Sequence, residues 1–243
     1  MVTVRYGLAV GSAVLVALLA ALETTVGLSA EGWGVGLTCG FVMNSAVARG
    51  GARALGPADL VTLTRAAIAC GVAALVADSF VQRAAVPTLV AITVVALVLD
   101  AVDGRVARRT GTESVFGARF DGEVDAFLIL ILSVYVASEF AAWVLAIGAA
   151  RYAFAVAGLG LPWLRGQLPP RNWRKVVAAT QGIVLTLAAA SVAPRGLAYA
   201  ALALALALLT ESFGRDVLWL WRHRFKGRAQ LTGPSVPLRL QRP

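Results

Sequence analysis

The chain has 243 residues, 59% of them hydrophobic and only 14% charged. A soluble domain carries about a quarter charged residues, so a soluble globular fold is excluded. The net charge of +9 would point to nucleic acid in a soluble protein; in so apolar a chain it reads as topology and contact with anionic headgroups, and no nucleic-acid partner is expected.

Long apolar runs predict an all-α, polytopic membrane helix bundle of about eight spans, at roughly 7–29, 33–49, 60–78, 85–108, 115–138, 140–161, 176–193 and 196–221. Only Arg5 precedes the first apolar stretch, which is longer than the about 7–15 residues of a signal-peptide core, so an uncleaved span is expected. Cys39 and Cys70 both fall in apolar runs and read as small buried hydrophobes, not as a disulfide framework. Before the third span stands Pro57-Ala-Asp59-Leu-Val-Thr62-Leu-Thr-Arg65, in which Asp59 is placed as the N-cap of a helix entering the membrane. Arg151 lies in the apolar run of the sixth span and needs a partner or an aqueous cavity. The seventh opens on Arg171-Asn-Trp-Arg174-Lys175, which suits a basic interfacial collar. In the eighth, the alternating Ala and Leu of residues 200–209 make a plain helix with no chemistry in it. A basic tail covers 222–243, and the lone histidine within it, His223, cannot support a histidine metal site or triad.

Loop charges orient the bundle. With the N-terminus inside, Arg49, Arg53, Arg105, Arg108, Arg109, Arg165, Arg171, Arg174, Lys175 and the tail fall on the cytoplasmic side, and only Arg83 and Arg195 fall opposite. A multi-pass protein of the cell membrane is expected, with its chemistry at the cytoplasmic face.

That chemistry is written between the fourth and fifth spans. Asp100-Ala-Val-Asp103-Gly104-Arg-Val-Ala107-Arg108 is followed by eight residues to Gly117, three to Asp121 and three to Asp125. Ionisable residues at membrane depth are expensive and normally functional. Acids spaced i,i+3 and i,i+4 share a helix face, and carboxylates packed so tightly repel unless cations sit among them. Clustered carboxylate oxygens suit Mg²⁺ or Mn²⁺, typically together with substrate phosphates. The expected ending of one helix at Asp100 and Asp103, and the start of the next at Asp121 and Asp125, would bring the pairs together.

All eight fixed positions resemble the signature of the CDP-alcohol phosphotransferases, D-x2-D-G-x2-A-R-x8-G-x3-D-x3-D. The resemblance covers roughly 57–221 and implies a six-helix core with about two extra N-terminal helices: an extension over 1–56, the core over 57–221 and the tail over 222–243. It implies an enzyme of phospholipid synthesis that moves a phospho-alcohol group from a CDP-activated lipid donor to an alcohol acceptor, releasing CMP. It implies two divalent ions, Mg²⁺ or Mn²⁺, with Asp100 and Asp121 bridging both, Asp103 completing one, and Asp125 binding the other and taking the proton of the attacking hydroxyl. Asp59 and Thr62 match a segment that helps hold the nucleotide. Gly104 would allow its close approach, Arg108 would offer a fork of donors to phosphate, and Ser114 another contact. Gly117 serves either the nucleotide or helix packing. Residues 171–181 resemble, in Lys175 and Gln181, the Gly-Lys-x-Lys-Thr-x-x-Gln region of phosphatidylglycerophosphate-type enzymes, although Val177 stands where a second lysine is common. Arg151, Arg174 and Lys175 are therefore candidates for an acceptor phosphate, with the basic collar as the competing reading. Gly122-Glu123-Val124 departs from the basic or polar residue often found between the last two acids. CDP-diacylglycerol with a polar acceptor is favoured; transfer from a CDP-choline-type donor to a lipid alcohol, or a non-enzymatic divalent-cation carrier, remain alternatives, and a homodimer stays open.

Overall fold

The computed structural model describes residues 2–50, 54–110, 115–166, 168–169 and 172–223; between 103 and 110 it describes the backbone alone. Among the described residues a helix stands at each of the eight expected places: α1 Val4–Val26, α2 Ala30–Arg49, α3 Pro57–Asp78, α4 Val86–Thr110, α5 Val115–Glu139, α6 Leu145–Gly160, α7 Asn172–Ala189 and α8 Arg195–His223. Added to these are 3-10 turns at Ala142–Val144 and Pro162–Arg165 and a two-residue antiparallel pairing of Val2 with Leu55 and Thr3 with Ala54, which ties the start of α1 to the segment ahead of α3.

Local chemistry sets the boundaries. Gly27 closes α1 in a left-handed conformation, φ 74°, which a residue without Cβ adopts at little cost. Two residues on, the Ser29 hydroxyl caps α2 by accepting the Gly32 N–H at 3.2 Å. At α3 the cap differs from the expected one. Gly56 is the N-cap and Pro57 the first helical residue, while Asp59, one turn in, reaches back to accept the Gly56 N–H at 2.8 Å. Pro57 suits the first position because its missing donor would have no helical partner there.

α3 is the axis of the bundle. Every residue from Arg65 to Val76 is buried, as expected of a helix apolar all round, and α1, α2, α4 and α5 all pack on it. Small residues bring α1 and α2 close: Gly11 lies against Leu63, and Gly36 against Ala74 and Leu19. At the far end, buried Asp78 accepts the Ser29 N–H at 2.8 Å and the Gln82 amide at 2.6 Å. The same amide donates to the Gly27 carbonyl at 2.7 Å, so the α1–α2 turn is latched to the end of α3. α5 packs on α6 and α7, and α7 on α8.

Among the described residues, four helical segments are by length and composition long and apolar enough to cross a membrane: Val4–Val26, Asp59–Asp78, Ala142–Gly160 and Arg195–His223; the apolar part of α4 is the shorter Val86–Val102. α4 and α5 bear the acids and α7 opens on Arg174 and Lys175.

Candidate active site

The acids lie inside their helices and not at the tips. α4 continues for ten residues past Asp100, and α5 begins six residues before Asp121. Each carboxylate is therefore held on a rigid stem one to three turns from a helix end. Asp121 and Asp125, four apart, share the face of α5 that meets α3.

Asp100, Asp121 and Asp125 converge, one ligand atom from each lying within 4.8 Å of the others. Arg65 of α3 stands at their centre. Its guanidinium donates through Nη1 to Asp121 and through Nη2 to Asp125, and Nη2 lies 3.0 Å from Asp100 Oδ1. Arg65 is 1% exposed, whereas the three carboxylates are 39%, 36% and 33% exposed. The arginine thus seals the floor of the cluster and leaves its outer side open to a ligand. Position along α3 explains the placement: Leu63 faces α1, and two residues further the helix has turned Arg65 toward α4 and α5.

Sequence reasoning gave Arg65 no role, although an arginine in an otherwise apolar helix was signal enough to seek acidic partners for it. Asp59 and Thr62 precede it at three-residue steps on one side of α3, and both are buried. Asp103, Gly104 and Arg108 fall on the last turns of α4, where side chains lie outside the described residues; so does Ser114 entirely. Gly117 sits half-buried in the first turn of α5.

The three basic candidates differ in their partners. Arg151 Nη2 lies 2.5 Å from Glu123 Oε1, so the partner its apolar run required is the residue that departs from the expected pattern. Arg174 turns toward α8, pairing with buried Asp216 at 2.9 Å and donating to the Pro169 carbonyl at 3.0 Å. Lys175, like Arg151, is exposed. Gln181, one of the two residues matching the acceptor region, is buried and donates to the Ala205 carbonyl at 2.9 Å, a joint between α7 and α8.

The donor set fits a hard divalent cation. Three carboxylates with one guanidinium leave an excess of negative charge, and their oxygens are the ligands Mg²⁺ and Mn²⁺ prefer. Fold and site together define an all-α membrane protein with a carboxylate cluster suited to metal and phosphate. The chain belongs to the CDP-alcohol phosphatidyltransferase family, whose sequence model matches residues 56–210. It is thus a transferase of phosphorus-containing groups, from a family that is membrane-integral and generally dependent on divalent metal. No curated protein and no solved structure matches the chain at significance. The match begins at the N-cap of α3 and leaves α1 and α2 outside it.

Proposed function

We propose that this enzyme transfers the phosphatidyl group of CDP-diacylglycerol to a polar alcohol, with release of CMP, at the cytoplasmic face of the cell membrane. The observation that carries the reading is the convergence of Asp100, Asp121 and Asp125 in a chain that matches the family across α3 to α8. The acceptor oxygen bonds to the phosphorus bearing the diacylglycerol, the diphosphate P–O bond breaks, CMP departs, and the hydroxyl proton passes to Asp125.

Asp100, Asp103, Asp121 and Asp125 would hold two ions, Mg²⁺ or Mn²⁺. When bound, these supply neutralising charge for the diphosphate and its transition state. The chain's own residues do the rest. Asp125 receives the proton on a stem fixed by α5, and Arg65 holds the carboxylates in register before metal binds. Asp59, Thr62, Gly104, Arg108, Ser114 and Gly117 form the nucleotide side. Lys175 receives a charged group of the acceptor, since it is exposed near the start of α7 while Arg151 and Arg174 already have acidic partners. Residues 1–56 form an extension that buttresses α3.

The test is release of CMP from CDP-diacylglycerol by the purified protein, across a panel of water-soluble alcohols with and without a phosphate. Turnover with one acceptor, lost in chelator and restored by Mg²⁺ or Mn²⁺, is expected. Turnover only with CDP-choline and diacylglycerol would reverse the donor assignment. Metal transport without CMP release would favour a carrier.

A further inference from the structure

We propose that Arg65 is a resident counter-cation that competes with divalent metal for the carboxylates of the site, so that metal loading displaces its guanidinium from them. The inference rests on the reading of Asp100, Asp121 and Asp125 as metal ligands. Arg65 reaches all three, and it does so through oxygens that a metal ion would also use: Oδ1 of Asp100, of Asp121 and of Asp125. A carboxylate oxygen engaged by a charge-assisted hydrogen bond is a poorer ligand until that bond is given up. A fixed positive charge at the cluster also repels a second cation brought beside it.

The geometry shows why an arginine suits the task. Its planar fork spans carboxylates from two different helices, which an ammonium cannot do from one point. α3 is packed on all sides, so the Arg65 backbone is fixed and only its side chain can withdraw. Asp100, Asp121 and Asp125 presented without a counter-charge would push α4 and α5 apart. Arg65 holds the helices together and sets a threshold that metal must exceed. This differs from a phosphate-binding role, which would place the guanidinium outward toward the ligand; here it is 1% exposed and beneath the carboxylates.

The test is Mn²⁺ binding to the detergent-purified full chain, followed by electron paramagnetic resonance, for the parent, Arg65→Met and Arg65→Lys. The thermal midpoint of each is measured in chelator and in saturating Mn²⁺. Arg65→Met should bind Mn²⁺ at least about tenfold more tightly, the modest end for a unit charge facing a divalent ion at a few ångströms. Arg65→Lys should fall between it and the parent. In chelator Arg65→Met should melt below the parent, and saturating Mn²⁺ should close most of that gap. Should Arg65→Met not fold, Arg65→Lys decides alone by binding more tightly than the parent or not. Equal or weaker Mn²⁺ affinity in the folded variants would overturn the competition while leaving the metal site standing. A parent that binds no Mn²⁺ would remove the metal reading, and this inference with it.

Discussion

At the scale of single residues, the site divides roles among groups of like charge. Before metal binds, Asp125 is paired with Arg65 and is still 33% exposed, and a proton acceptor needs such an open side if substrate is to reach it. Asp125→Asn keeps the size and removes the basic oxygen. Turnover should fall at least about 10²-fold, the lower end for general base catalysis, while CDP binding stays measurable by equilibrium dialysis. A near-parental rate would exclude Asp125 as the base. The basic residues separate in the same way. Lys175→Gln should raise the acceptor KM about tenfold or more with the donor KM unchanged, as for loss of a charge-assisted hydrogen bond. Arg174→Gln should leave both KM values alone and lower the melting temperature, since buried Asp216 loses its ion pair with Arg174 at a cost of about 1–3 kcal/mol. Initial rates with each substrate varied in turn, beside thermal melts, would show whether these two neighbours exchange effects.

At the scale of elements, the acids are positioned by how closely their helices approach, and small residues decide that. A Cβ added to Gly148 on α6 would lie 2.5 Å from Leu130 Cα and 2.9 Å from Ser133 Oγ on α5. Backbone cannot move aside as a side chain can, so Gly148→Ala must push α6 away from the helix that carries Asp121 and Asp125. A loss of about 1–3 kcal/mol is expected, seen as a lower thermal midpoint. At Gly34 on α2 nothing lies within 4 Å of an added Cβ. Gly34→Ala should therefore be neutral or gain about 0.5–1 kcal/mol through helix propensity. Equal melting of the two variants would mean that the α5–α6 approach is not tight. The same scale explains the shifted Asp59: a proline at the first helical position moved the cap to Gly56 and left the acid one turn inside, where it still satisfies the N-terminal donor.

At the scale of the whole molecule, the charges that orient the bundle can be tested apart from its chemistry. The loop charges, with the N-terminus inside, lead us to expect Arg83 before α4 outside and Arg222 at the end of α8 inside. In a background with Cys39 and Cys70 replaced by alanine, Arg83→Cys should react with an impermeant maleimide in intact cells, and Arg222→Cys only after permeabilisation. Labelling of both from one side would overturn the expected eight-span topology and with it the proposed cytoplasmic placement of the site. The sequence by itself determined the eight helices and the spacing of the aspartates. Apolar runs and a motif within 26 residues are local features, and local features survive without knowing what packs on what. Only the tertiary structure decided that Arg65 is the hub of the cluster, because its partners Asp121 and Asp125 lie 56 and 60 residues away. It likewise decided that Arg151 answers Glu123 and Arg174 answers Asp216, 28 and 42 residues apart. A charge in a sequence has no assigned partner until folding brings one within reach, and in an apolar bundle that pairing settles which charges remain for substrate.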